Sequence, residues 1–222
     1  MHSPPPMQAG SSVDNPQLSA RVDALAYDRM ASVYDWLFGL SLQPGRLAAA
    51  RSLSLKPGDV VLEVGVGTGL NAPLYPADCC VVGVDFSASM LTRAERRLAA
   101  RRITNVHLFQ MDATDLKFAD ATFDVVYAPY LVTAVPDPVQ VAREMVRVCV
   151  PGGRIVMLNH FLSRNPAISW VERQLATVSR HCGFRSDLDM DQFLERANLD
   201  PVSVEQVNFP PIWSLVICHK PS

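Results

Sequence analysis

Residues 61–71 read VLEVGVGTGLN and residues 83–86 read GVDF. The apolar run ending at Val64 has the length and β-branched content of a buried strand. Gly65, Gly67 and Gly69 follow it in a G-x-G-x-G turn. Glycine at such places takes positive φ and lets a ligand approach the main chain. A dinucleotide fingerprint would instead be spaced G-x-G-x-x-G, with a pyrophosphate on the next helix N-terminus. Glu63 stands two positions before the first glycine. A carboxylate there repels a pyrophosphate and suits a cationic ligand or one bearing an ammonium group. Asp85 closes the next apolar run, residues 80–84, twenty positions after Gly65. A carboxylate at the end of a second strand can accept both hydroxyls of a ribose.

Outward from this stretch the chain alternates strand and helix, which argues a parallel sheet covered by helices on both faces. Strands are expected near 59–64, 80–85, 105–110, 123–128 and 153–159. Helices are expected near 68–75, 88–102 and 138–149, the last stopped by Pro151-Gly152-Gly153. A helix near 167–182, a short one near 190–198 and strands at 202–208 and 212–219 complete the pattern. The fold class is therefore α/β, Rossmann-like and doubly wound. Its seven-stranded, mostly parallel sheet ends in a C-terminal antiparallel hairpin. Residues 1–16, rich in Pro, Ser and Gly, read as a disordered tail. Residues 17–222 read as a single domain, of which 17–56 form an N-terminal helical cap or lid.

At 222 residues the chain suffices for one full core, and 49% hydrophobic with 19% charged residues is ordinary for a globular protein. A net charge of −2 gives no electrostatic case for nucleic acid as a partner. Five cysteines show neither a C-x-x-C pair nor zinc-type spacing, so no metal is expected. No run of 18 apolar residues and no signal pattern is evident, which points to a cytoplasmic protein, with attachment to a membrane surface still open.

In open α/β sheets ligands bind at the carboxyl ends of the strands. The second strand end offers Asp85, Phe86 and Ser87, with Met90 one turn into the helix and placed to pack on an adenine edge. Ser87 also suits a helix N-cap. The third offers Met111, Asp112 and Ala113. Asp112 could accept an adenine amino group or simply form a turn. The fourth end carries Ala128-Pro129-Tyr130 and the fifth Asn159-His160-Phe161. Asn71 lies just beyond the glycine turn.

Together VLEVGVGTGL, GVDFSASML, MDAT, FDVVYAPY, VPDP and PGGRIV resemble the class I S-adenosylmethionine-dependent methyltransferases over residues 59–160. The resemblance extends to the bacterial phospholipid N-methyltransferases through the Asn-His-Phe end of the fifth strand, Gly183-Phe184-Arg185, and Pro211, Trp213, Ser214 and Leu215. It implies S-adenosylmethionine as methyl donor and S-adenosylhomocysteine as product, and as acceptor the amine of phosphatidylethanolamine and its methylated intermediates. The donor would be held by Tyr34, Glu63, Gly65, Gly67, Gly69, Asn71, Asp85, Phe86, Ser87, Met90, Met111, Asp112, Ala113 and Ala128. One departure is Pro129, where the family often has glutamine; the main chain there could still serve.

Transfer to an amine needs the amine neutral, so a pocket that lowers its pKa and a nearby tyrosine or histidine are sought. Tyr27, Tyr130 and His160 are the catalytic candidates, and Tyr34 could equally pack within the cap. Arg180, Arg185 and Trp213 are candidates for binding a phosphate-bearing substrate. Arg93, Arg96, Arg97, Arg101 and Arg102 crowd one helix and read as a solvated face or as a contact for anionic lipid. Residues 36–40, WLFGL, flanked by Arg21, Arg29 and Arg46, could lie on an anionic membrane or close over the donor. Other readings are a methyltransferase for another aminolipid or a soluble small molecule, a non-catalytic binding module, and an NAD-dependent dehydrogenase.

Overall fold

Among the described residues seven strands pair in the order β3-β2-β1-β4-β5-β7-β6. They are β1 (Val60–Val64), β2 (Cys80–Asp85), β3 (Val106–Gln110), β4 (Phe123–Pro129), β5 (Cys149–His160), β6 (Pro201–Val207) and β7 (Trp213–His219). The described residues include the helices α1 (Gln43–Ser52), α2 (Ala88–Arg101), α3 (Pro138–Val148) and α4 (Met190–Ala197). This computed structural model describes residues 4–6, 42–163, 165–166, 169–170, 172, 174, 187–208 and 212–221. Residues 17–41 of the expected helical cap, with the 36–40 segment, Tyr27 and Tyr34, and also Arg180 and Arg185, lie outside the described residues.

The first five strands run parallel, while β7 is antiparallel to both β5 and β6. From β1 the chain builds outward to β2 and β3, then crosses back to lay β4 on the other side. The strand ends of β1 and β4 thus form the switch point at which open α/β sheets bind ligands. Both faces of the central strands are covered, which is why they read as apolar runs rather than alternations. One face packs Leu62, Val64, Val82, Phe123, Met145 and Phe193. The other packs Val61, Val81, Tyr75, Tyr127 and Leu53. The main chains of Met90, Gln140 and Gln192 donate to Ser87, Asp137 and Asp189, which cap α2, α3 and α4. Each such cap contributes about 1 kcal/mol.

Two expected elements differ. The helix expected near 68–75 is a turn followed by a single 3-10 stretch, Ala72–Leu74. Pro73 and Pro76 explain this, since each removes a main-chain donor that an α-helix needs. The fifth strand begins at Cys149 rather than near 153, so α3 runs directly into it. Phe123 pairs with Cys149 and Val125 with Arg154, and the surplus residues form a bulge carrying Gly152 at φ 72°.

Candidate active site

The glycine turn sits at the switch point, and its three glycines take φ of 77°, 54° and 72°. They serve different ends. A Cβ on Gly65 would meet Leu131 at 2.8 Å, and one on Gly69 would meet Ala94 of α2 at 3.2 Å. A Cβ on Gly67 would enter open space, with nothing within 4 Å. Gly65 and Gly69 therefore let the turn pack closely, while Gly67 leaves room for a ligand against the main chain. Arg97 braces the turn by donating to the Thr68 carbonyl at 2.6 Å and hydroxyl at 3.1 Å. Of the other arginines in this helical group, Arg96, Arg101 and Arg102 are exposed.

Asp85, at the end of β2, accepts the Gly67 N–H on Oδ2 (2.8 Å) and the Ser87 N–H on Oδ1 (2.9 Å). The Phe86 N–H also acts on this carboxylate, so of its roughly four acceptor positions about one remains for a ligand hydroxyl. Burial pushes its pKa up, against the pull of these N–H donors. Phe86 follows with 53% of its surface exposed, a large apolar face at the rim. Met90 is half-buried in the first turn of α2.

Glu63 is 1% exposed and has both oxygens engaged. The Asn71 amide donates to Oε1 at 2.6 Å and the Tyr75 hydroxyl to Oε2 at 2.5 Å. It therefore ties the turn to residues beyond it rather than presenting an open carboxylate. Loss of solvent raises its pKa to about 7, with the two donors and nearby Arg46 pulling the other way. The folded protein thus holds this proton more tightly than the unfolded chain. The stabilisation is full below the unfolded pKa of 4.5 and disappears as pH rises through about 7. Glu63→Gln, which cannot ionise, should gain on the unaltered protein by about 2–3 kcal/mol between pH 5 and pH 8. Thermal unfolding at the two pH values measures this, and a constant difference would mean that Glu63 is ionised throughout.

At the third strand end the expectations divide. Asp112 is exposed, and its Oδ1 accepts both the N–H and hydroxyl of Thr114, which makes it a turn former. Met111, also placed at this strand end by the sequence reading, follows β3 directly. It is buried in the core, with its sulfur accepting the Lys117 N–H, because the residue after β3 turns inward. Ala113 is half-buried against the same cluster.

The fourth and fifth strand ends meet β7. Tyr130 sits at φ 57°, a left-handed conformation costing a residue with a Cβ about 1–2 kcal/mol. Several tethers hold it there. Its N–H donates to Leu158 at 2.6 Å, its hydroxyl donates to Leu42 at 3.0 Å, and Asn208 donates to that hydroxyl at 3.4 Å. Its ring stands edge-on to Trp213, with centroids 5.0 Å apart, and Arg46 lies 5.3 Å over its face. Trp213 in turn meets His160 edge-on at 5.9 Å. Behind them, buried Asn159 donates to the Ala128 carbonyl at 3.5 Å and meets Thr133 at 3.3 Å.

His160 is buried, and its Nε2 lies 3.2 Å from Oε1 of Glu172. Burial pushes its pKa down, with Glu172 opposing. Among the described residues, three buried polar atoms find no hydrogen-bond partner: Asn71 Oδ1, the Tyr127 hydroxyl and His160 Nδ1. All three belong to residues at or beside these strand ends. Sequence reasoning did not assign Tyr75, Glu172 or Asn208, and it placed Arg46 only beside an apolar segment. Arg46 was detectable in principle, since it shares the buried stripe of α1 with Gly45 and Ala49. Glu172 and Asn208 carry no comparable local signal.

The sheet order, the open cradle at Gly67, and acidic Asp85 with spare acceptor capacity fit a nucleoside-bearing methyl donor. That class is seen in relatives as well. The family described as "Methyltransferase domain" matches residues 62–157. The phosphatidylethanolamine N-methyltransferase of Cereibacter sphaeroides is 41% identical over 189 residues, 84% of this chain and 90% of that protein. A demethylmenaquinone methyltransferase of Clavibacter sepedonicus is 37% identical over 68% of this chain and 61% of its own. Among solved structures, Haemonchus contortus phosphoethanolamine N-methyltransferase 2 in complex with S-adenosyl-L-methionine superposes with a TM-score of 0.76 at 19% identity, over 94% of this chain and 61% of that one. The chain belongs to the S-adenosylmethionine-dependent methyltransferases, in the family of the Cereibacter enzyme.

Proposed function

We propose that the chain methylates the amine of phosphatidylethanolamine and of its partly methylated intermediates. The observation that carries this reading is the 41% identity to the Cereibacter enzyme over 90% of that protein's length. The rim residues Gly65, Gly67, Gly69, Asn71, Asp85, Phe86, Ser87, Met90, Ala113 and Ala128, with the main chains of Met111 and Asp112, would hold the donor, and Glu63 would brace the glycine turn through Asn71 and Tyr75. When bound, S-adenosylmethionine supplies an electrophilic methyl on a sulfonium and leaves as S-adenosylhomocysteine.

What remains for the protein is to orient the amine and remove its proton. An alkyl ammonium with a pKa near 10.4 is protonated at pH 7, and freeing it costs about 4–5 kcal/mol. His160 answers that need, since burial lowers its pKa and favours the neutral imidazole, and its Nδ1 has no hydrogen-bond partner among the described residues. Trp213 and Tyr130 wall the same place with aromatic faces, which favour a cationic head group by their quadrupoles. Tyr130 contributes its ring, because its hydroxyl is committed to Leu42. Tyr27, Tyr34, Arg180 and Arg185 remain candidates for the cap and for the head-group phosphate.

No described helix is long and apolar enough to cross a membrane. A lipid acceptor would then be met at the bilayer surface, with residues 36–40 and their flanking arginines as the candidate contact. The test offers labelled S-adenosylmethionine and a panel of acceptors: phosphatidylethanolamine vesicles, phosphatidylglycerol vesicles, phosphoethanolamine and a demethylmenaquinone. Label should enter phosphatidylethanolamine alone. Preferential labelling of a soluble acceptor or the quinone would overturn the lipid reading.

A further inference from the structure

The surroundings of His160 contain more than a base. Both oxygens of Glu172 are placed: Oε1 lies 3.2 Å from His160 Nε2, and Oε2 accepts the Ser163 N–H at 2.8 Å. Ser163 lies three residues after His160, so the loop leaving β5 clamps the carboxylate that faces the imidazole. Both side chains are largely buried, at 10% and 14% exposed. On the other side, β7 supplies the uncharged Trp213 ring and the turn after β4 supplies Tyr130 behind it. Among the described residues Glu172 is the charged group in contact with this imidazole.

A carboxylate accepts hydrogen bonds and does not donate them, so the nitrogen facing it carries the hydrogen in the neutral ring. We propose that Glu172 is a positioning residue for His160: it fixes the tautomer with hydrogen on Nε2 and leaves Nδ1 as the atom that takes the proton of the acceptor ammonium. This rests on the amine-acceptor reading above. In the step itself an N–H bond of the ammonium breaks and its electron pair stays on nitrogen as the nucleophilic lone pair. The proton bonds to Nδ1, and the resulting imidazolium is stabilised by the Glu172 carboxylate. The imidazolium later returns the proton to water, so the step needs no further reactant. A carboxylate behind the ring also limits rotation, which would otherwise swap the two nitrogens.

The pair can be read without any variant. Nitrogen NMR of the unaltered protein should show His160 as the Nε2–H tautomer, and an Nδ1–H tautomer would overturn the proposal. Glu172→Gln keeps the shape and removes the charge. It should lower kcat by about 100-fold, the lower end of what a general base contributes, with KM for S-adenosylmethionine unchanged. The acid limb of its kcat–pH profile should move to lower pH, because the imidazolium has lost its carboxylate, and Glu172→Asp should recover part of kcat. Unaltered kcat and an unmoved acid limb in Glu172→Gln would refute the pairing. Should Glu172→Gln fail to fold, the tautomer of the unaltered protein still decides. If no amine lipid is methylated at all, the acceptor reading falls, whereas the tautomer independently reports the pair.

Discussion

Asp85→Ala should raise the Kd for S-adenosylhomocysteine by about 100-fold or more in calorimetry, since hydrogen bonds to a charged acceptor are worth about 1.5–3 kcal/mol each. Two losses combine. The carboxylate offers its remaining acceptor position to the donor's ribose, and it also pins the Gly67 and Ser87 N–H groups. The fold should survive, because the Ser87 hydroxyl still caps α2. Asp85→Asn should fall between the two, as it retains one acceptor oxygen. Undiminished affinity in Asp85→Ala would assign Asp85 to bracing the turn alone and place the ribose elsewhere.

His160→Ala should lower kcat by about 10²–10⁴-fold, the range for loss of a general base, with the Kd for S-adenosylhomocysteine unchanged. The argument is positional. His160 ends β5 beside Tyr130 and Trp213, away from the Asp85 end of the rim, so its removal should spare the donor and strike the proton transfer. The deficit should shrink as pH rises, because more of the amine is then already neutral. A variant with full kcat at pH 7 would show that the amine loses its proton to solvent before binding.

The two predictions draw on different kinds of legibility. Asp85 was readable because its place follows from two local facts: an apolar run ends there, and a glycine turn precedes it at the spacing of one strand–helix unit. The strand series, the cap at Ser87 and the closing hairpin were readable for the same reason, since their signals lie within a few residues. Glu63 was half-readable. Its strand position was plain, but the donors from Asn71 and Tyr75 depend on a turn tightened by Pro73 and Pro76, where helical periodicity had suggested an α-helix. The Arg46–Tyr130–Trp213–His160–Glu172 series was not readable at all as a series. Its members come from α1, the turn after β4, β7, β5 and the segment beyond, and tertiary packing alone makes them neighbours.

The strained Tyr130 backbone belongs to that series. A left-handed tyrosine persists where surrounding contacts over-determine it, and such residues concentrate at working sites. Here the hydrogen bonds to Leu158, Leu42 and Asn208 hold the ring between Arg46 and Trp213. The proposed acceptor place is thereby built from rigid strand ends rather than from loop tips, a preorganisation that an in-line transfer to nitrogen requires.

The most direct measurement is methyl transfer resolved by lipid mass. The unaltered protein, given trideuteromethyl-labelled S-adenosylmethionine and phosphatidylethanolamine vesicles, should yield head groups heavier by whole trideuteromethyl increments, with His160→Ala yielding almost none. Label found in a soluble acceptor while the lipid stays unlabelled would contradict the account.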